Sequence, residues 1–526
     1  MIAQFLGCLT FFLCLCAPGA ALCAGTGRSC EEGLPLAAFG FTALLYVMGL
    51  TGLMGYGAVA ALLLSACCYG YAIYCLAAKR TSLRSFLSRV CTPAMALFCV
   101  FFALCVICNY GRMPYHGDEF SHWAYAVKAM TYLDDFAAAP GAAALYGSYP
   151  PAMQLLQYLL QKLTVLFAGG DPGAYSHWLL FIPYQAMVPM LCLPFLKRCS
   201  WRNALVPLMM GGAMLALPTA FFPLFYESTF VDPILALTAA YCLAAAWRMD
   251  KPAPYGLVCI FMGLFTLALE KDVGLFFALV CGGGLLTRIW GKSAAGRTGA
   301  VPSKIGLSLC AALSIGGAKL SWDWVLARYQ TPLRFSQPLD AAALWAFLSG
   351  QDATPYRAET TEALLARFFG PGCPLGTTGL TLFGHSIPAL AFSVSYLAIF
   401  LLLMGGCVFA ALRKPGRIGL MAVALSGILA YLAGLAWLYL FQFYDFEAVA
   451  LWCFDRYIGI PLLLLGALLL MLLASRDLPA PAQTDGLNKS TGAWLLACLA
   501  LICTLAICPV QNLKTYLTRA SAKGSA

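Results

Sequence analysis

Apolar runs of roughly 20 residues, separated by short polar breaks, recur along almost the whole chain. A helix of that length crosses a hydrocarbon core about 30 Å thick, at about 1.5 Å per residue. The pattern predicts spans over 2–22, 35–54, 57–78, 91–109, 177–196, 204–225, 229–247, 253–270, 273–290, 305–320, 388–411, 418–440, 457–474 and 492–509. Runs such as Pro461 to Ala474 do not alternate, unlike the strands of a membrane β-barrel. The expected fold class is therefore all-α, a polytopic transmembrane helical bundle of about 13–14 spans.

Composition leads to the same place. Hydrophobic residues make up 62% of the 526 and charged residues only 10%, against about a quarter charged in soluble domains. Too little polar surface remains to cover a water-soluble globule. Most of the 24 cysteines, such as Cys8, Cys14, Cys16, Cys67, Cys68 and Cys105, fall within apolar runs, where Cys acts as a small hydrophobe. No CxxC pair with a matching partner motif is present, so zinc and a disulfide framework are unsupported.

Charge sets the expected orientation, because Lys and Arg resist translocation. Segments 79–89, 197–202, 248–251, 288–304, 413–417 and 476–489 hold 18 of the 32 Lys and Arg but only Asp250, Asp477 and Asp485 among the acids. They are assigned to the cytoplasmic side. The intervening segments, assigned outside, carry 17 of the 22 acids. The two sets alternate from Lys79 onward, as a threaded bundle requires. The net charge of +10 then reports topology and contact with anionic membrane lipid rather than nucleic acid. Residues 2–22 lack a basic segment before the apolar core, so a retained helix is expected rather than a signal peptide, with the N-terminus outside.

Two outer segments exceed ordinary connectors of about 4–6 residues. One runs from Tyr110 to Ser176 and the other from Ser321 to Pro388. In the first, Pro150 and Pro151 suit a helix start, where the missing N–H costs nothing. The helix that follows aligns Met153, Leu156, Leu160 and Leu163, suiting it to lie on the membrane surface.

The candidate chemistry gathers in these outer segments. Asp118 and Glu119 follow the 91–109 span closely, and helical spacing would put Asp118, His122 and Tyr125 on one face. A carboxylate there can deprotonate a hydroxyl, or simply complement a helix N-terminus. His116, Asp118, Glu119 and His122 could also ligate a divalent cation, although their spacing matches no metal motif. Glu227 and Asp232 lie at a later outer turn, with Asp232 before Pro233 also suited to capping. Lys271, between Glu270 and Asp272, suits a phosphate or an ion pair with its neighbours. A last group is Tyr444, Asp445, Glu447, Asp455, Arg456 and Tyr457, where Arg456 can snorkel to headgroups or clamp a phosphate.

Several function classes fall away. The chain has no phosphate-cradling glycine loop, no GxGxxG after a strand and no GxSxG. The cytoplasmic segments are too short to fold a nucleotide-handling domain.

On these motifs the chain resembles the GT-C superfamily of membrane glycosyltransferases, in particular the branch of protein O-mannosyltransferases and lipid A aminoarabinose transferases. The resemblance rests on Asp118-Glu119 with Phe120 and Trp123, on Tyr149-Pro150-Pro151-Ala152, on Glu227 or Asp232, and on Lys271, in that order across residues 91–320. It departs from that branch in three extra spans before the Asp-Glu loop and in Ala152 at a usual Leu position. The resemblance implies extra N-terminal helices over 1–90, a catalytic core over 91–320 with its outer loop at 110–176, an outer loop region at 321–387 and C-terminal helices over 388–526. It implies a cell-membrane enzyme, with juxtamembrane helices roofing an outward-facing cavity. The donor would be a polyprenyl-phosphate-linked sugar, and the acceptor an unspecified glycan, lipid or protein. Asp118 would be the general base, its pKa raised by burial and by the donor phosphate, and Glu119 would position acceptor or sugar. Lys271 and Arg456 would neutralise the phosphate, with His116, His122, Trp123, Lys128, Tyr149, Glu227 and Asp232 as further substrate contacts. Two alternatives stay open, a lipid-linked glycan polymerase or ligase and a polytopic transporter or flippase. The early Asp-Glu pair argues against the first, and acids at helix ends rather than mid-membrane argue against the second.

Overall fold

The computed structural model describes residues 1–196, 201, 204–249, 253–291, 301–333, 341–352, 354–375, 380–382, 385–387 and 392–475. The expected span at 492–509 and the basic segment 476–489 lie outside the described residues, as do parts of the basic segments at 197–202, 248–251 and 288–304.

The N-terminal helices are α1 (Ile2–Gly25), α2 (Leu34–Leu50), α3 (Gly57–Ala77) and α4 (Leu83–Val90). Then come α5 (Pro93–Asn109), α6 (Ala124–Leu133), α7 (Ala152–Phe167), α8 (Phe181–Cys192), α9 (Leu205–Ala216) and α10 (Pro218–Phe221). The central helices are α11 (Val231–Arg248), α12 (Pro254–Ala268), α13 (Asp272–Trp290) and α14 (Val301–Tyr329). After α15 (Ala341–Leu348) and α16 (Pro355–Phe369) the chain closes with α17 (Tyr396–Leu412), α18 (Ile418–Phe441), α19 (Asp445–Val449) and α20 (Phe454–Ala474).

Every expected apolar run within the described residues contains helix. Fewer are full spans, however. Among the described residues eight helices are long and apolar enough to cross a membrane, or nine if the bent α4–α5 pair is one span. Segment 204–225 is divided at Leu217 before Pro218, and 253–270 holds one shorter helix that Pro254 opens and that ends at Ala268. The all-α expectation also needs one amendment. Cys373–Leu375 pairs antiparallel with Phe392–Val394, and Leu380–Leu382 with His385–Ile387. The expected span at 388–411 therefore begins only at Tyr396, where Ser395 caps α17 by accepting from Ala398 N at 3.1 Å.

Two other expectations change. The outer segment placed at Ser321 starts later, because α14 continues to Tyr329. Lys319 and Asp323, which read as the end of a span, form an i,i+4 ion pair that supports the helix. From there Trp322 donates to Ser148 O at 2.9 Å and Tyr329 to Asp135 at 2.7 Å, bracing the first outer segment. Helix α7, expected on the membrane surface, is instead core. Met153, Leu156, Leu160 and Leu163 are buried, and so are Gln154, Gln157 and Gln161 on its polar side. The glutamines can be buried because two of them find backbone partners, Gln157 at Leu180 O (3.0 Å) and Gln161 at Ser176 O (2.8 Å).

The described parts of the basic segments share one end of the bundle. Arg89 donates to Cys23 O, Trp201 to Cys91 O, Arg248 to Pro194 O and Arg288 to Met249 O and Gly416 O. At the other end Gln4 meets Ser176 at 3.1 Å, and Tyr158 meets Met54 O and Asp134. The N-terminus of α1 thus sits with the long outer segments, and the 26–33 turn with the basic ones.

Candidate active site

The site forms at the end of the bundle opposite the basic segments. Helix α5 stops at Asn109, whose amide bonds Gln185 of α8 at 2.8 Å. Gln185 and Arg112 both donate to Tyr226 O, at 3.0 and 2.7 Å, tying the start of the first outer segment to the turn before α11.

Glu119 completes that tie. It is fully buried and accepts four hydrogen bonds, from Tyr115 N (3.1 Å), His116 N (3.2 Å), Thr229 N (2.8 Å) and Thr229 Oγ1 (2.9 Å). Both carboxylate oxygens are occupied by protein donors. Through these bonds Glu119 joins the 115–119 turn to the segment that carries Asp232. Tyr115 also reaches Glu227 at 3.4 Å, so Glu227 lies buried behind this turn.

Residues Glu119–Trp123 form one wide π turn before α6. This undoes the expected α-helical spacing. His122 is buried while Tyr125 is exposed, so Asp118, His122 and Tyr125 do not share a face. Such turns recur at functional sites because they re-aim side chains without ending a helix.

Asp118 and Asp232 are met by cations from two other helices. Arg456, in the first turn of α20, places Nη1 2.5 Å from Asp118 Oδ2 and Nε 3.3 Å from Asp232 Oδ2. Lys271, at the N-cap of α13, places Nζ 2.6 Å from Asp232 Oδ1. Asp232 is fully buried and lies inside the first turn of α11, whose N-cap is Phe230, so the capping expectation is overturned. Glu270, next to Lys271, turns away to accept from Thr238 at 2.7 Å. Asp455, beside Arg456, also faces elsewhere, to Arg367 and Tyr396.

The result is a quartet of two carboxylates and two cations whose formal charges balance. Side-chain exposure grades from 0% at Asp232 through 12% at Lys271 and 17% at Arg456 to 40% at Asp118, so Asp118 is the member that faces outward. Phe230 and Tyr457 wall the cations, with Arg456 4.9 Å from the Phe230 ring centre and Lys271 5.4 Å from that of Tyr457. Burial raises the proton affinity of Asp118, but the Arg456 guanidinium outweighs it, helped by His122 and Lys271, and holds the carboxyl below its ordinary value. The sequence-based expectation is the reverse. Burial likewise opposes the Lys271 charge, yet Asp232 holds its pKa above the usual lysine value.

Next to the quartet is an aromatic crevice. Trp123 stacks on Tyr149 with ring centres 5.3 Å apart, and His122 packs edge-on against Tyr146 and Tyr149. The Pro150-Pro151 corner is pinned to the Lys271 turn by Ala152 N donating to Leu269 O at 2.8 Å. Among the described residues Trp123 Nε1 and Gln154 Oε1, which both line this crevice, have no protein partner. His116 lies against Tyr115 and Phe230. Lys128 is exposed on α6, and no hydrogen bond or ion pair among the described residues joins it to the quartet. Among the described residues no three His, Cys, Asp or Glu side chains converge as a group that could hold a metal ion.

Sequence reasoning missed Thr229, Phe230 and Arg112. Thr229 and Phe230 carry no signal of their own. Arg112 did carry one, as a cation just past a span on the acid-rich side. Comparisons with protein-family models, curated proteins and solved structures find no match to this chain.

Proposed function

We propose that this chain is a multi-pass membrane glycosyltransferase that moves a sugar from a polyprenyl-phosphate carrier to an acceptor hydroxyl. The observation that carries the reading is that Arg456 bridges Asp118 and the buried Asp232, which also holds Lys271. A lone carboxylate at a helix end is ordinary. A solvent-facing carboxylate beside two cations, held by a second, buried carboxylate, suits a hydroxyl acceptor meeting a phosphate leaving group.

In this reading the acceptor oxygen attacks the anomeric carbon as the bond from that carbon to the phosphate oxygen breaks, with inversion. Asp118 takes the hydroxyl proton, and the electron pair of the broken bond leaves on the lipid phosphate. Lys271 and Arg456 stabilise the charge that grows there, in a site already organised by Asp232. Trp123 and Tyr149 offer stacked apolar faces beside the reacting centre. The basic end of the bundle would be cytoplasmic, which turns the quartet outward in the cell membrane.

The test is to incubate membranes containing the chain with radiolabelled polyprenyl-phosphate sugars and to follow the label. Transfer that depends on Asp118 supports the reading. Label that remains on the lipid with every donor and with native acceptor extracts overturns it.

A further inference from the structure

At the basic end of the bundle, on the far side from the quartet, lies a cavity of about 250 Å³. It opens between the 26–33 turn, the turn after α8, the end of α11 and the start of α12. Arg28, Glu32 and Arg248 supply its charges, while Phe195, Tyr241 and Tyr255 supply its aromatic walls. We propose that this cavity is a binding site for the headgroup of an anionic phospholipid, with Arg28 and Arg248 holding the phosphate.

The two arginines are set for an additional anion. Arg28 donates to Glu32 at 2.5 Å and lies 4.3 Å over the Tyr255 ring. Arg248 donates to Pro194 O at 2.8 Å and lies 5.3 Å from the Phe195 ring centre. Each guanidinium has five N–H donors, of which the described residues engage one. Glu32 and the Tyr255 ring hold Arg28, and Pro194 O and the Phe195 ring hold Arg248, so little freedom is lost when they close on a phosphate. Two cations and one carboxylate leave a single net positive charge, which matches the single negative charge of a phosphate diester.

The walls favour a lipid over free phosphate. Tyr241 is buried at the inner end, and Arg28 is a third exposed at the mouth, so polarity falls with depth. An inorganic anion has no use for an aromatic floor. A headgroup followed by a glycerol backbone does, and basic pockets between helices at the cytoplasmic boundary are where anionic headgroups bind.

The full chain in detergent is titrated with phosphatidylglycerol, phosphatidylcholine or inorganic phosphate while thermal unfolding is followed. Phosphatidylglycerol is expected to raise Tm, and the other two to leave it unchanged. Arg28→Gln with Arg248→Gln should weaken the apparent lipid affinity by about tenfold, while Arg80→Gln, an exposed cation of the same end outside the cavity, should not. An equal shift from phosphatidylcholine, or an undiminished one in the double variant, overturns the site. An equal shift from inorganic phosphate overturns the lipid and leaves a plain anion site. Should the double variant fail to fold, photoreactive phosphatidylglycerol on the wild-type chain decides. Adducts on the peptides bearing Tyr241 and Tyr255 support the site, and adducts confined to other regions overturn it.

Discussion

Arg456 Nη1 lies 2.5 Å from Asp118 Oδ2, although 338 positions separate the two residues in the chain. The contact makes the proposed base and the proposed phosphate clamp partners of one another. Under the proposed function, a phosphate that draws on Arg456 would release Asp118 to accept a proton and so link donor binding to base activation.

Asp118→Asn keeps the shape of the side chain and removes the proton acceptor. Turnover should fall by about 10²–10⁴-fold, as for loss of a general base, while the labelled donor still binds. Near wild-type turnover in correctly inserted protein would remove Asp118 from the chemistry.

Arg456→Gln should move the acid limb of the rate profile. With Arg456 present, the Asp118 carboxyl is held below its ordinary value and stays ionised down through mildly acidic pH. Without that counter-ion, burial dominates, the pKa rises, and activity should fail at a higher pH than in the wild type. Matching acid limbs in a pH titration of the two proteins would sink the linkage.

Lys271→Ala should weaken donor affinity and lower stability together, because it leaves the buried Asp232 without its closest cation. Breaking a buried ion pair from one side costs about 3–5 kcal/mol. Lys271→Arg should restore part of the affinity. Pairing Lys271→Met with Asp232→Asn should recover folding without recovering donor binding, which separates the two effects in melting and binding assays.

Glu119→Gln should act on stability before substrate affinity. Its four accepted bonds include two backbone donors on one oxygen, and an amide nitrogen cannot accept there. Hydrogen bonds to a charged group are worth about 1.5–3 kcal/mol each. The melting temperature should fall while KM for the donor changes little in the protein that remains folded. A large KM change at unaltered Tm would return Glu119 to the substrate.

The sidedness of the bundle is open to labelling. A cysteine at Asp171, exposed at the quartet end, should react with a membrane-impermeant maleimide on intact cells. Exposed Cys91, at the basic end, should react only after permeabilisation. The reverse order, read by peptide mapping, would invert the orientation. Ser336, a natural choice on charge pattern, lies outside the described residues.

The helices were legible because burial in lipid demands an uninterrupted apolar stretch, and that demand is written locally. The alternation of basic and acidic segments was legible for a similar reason, since each connector is sorted by its own charge. Asp118, Asp232, Lys271 and Arg456 each stood out as ionisable groups beside apolar runs. What linear reading could not supply was their partners. It offered Asp232 a capping role and Lys271 its adjacent acids, because local explanations are all that spacing can test.

The sequence alone therefore determined that this is a predominantly α-helical multi-pass membrane protein whose connectors alternate between basic and acid-rich. Tertiary structure decided which acids meet which bases. Helices α11, α13 and α20 pack so that the ends bearing Asp232, Lys271 and Arg456 converge, and that convergence depends on side-chain fit along whole helices rather than on any motif. It decided the fate of Glu119 and α7 in the same way. A carboxylate is structural or available according to whether distant donors such as Thr229 reach it. An amphipathic helix lies on a surface or in a core according to whether partners for its polar side are folded around it.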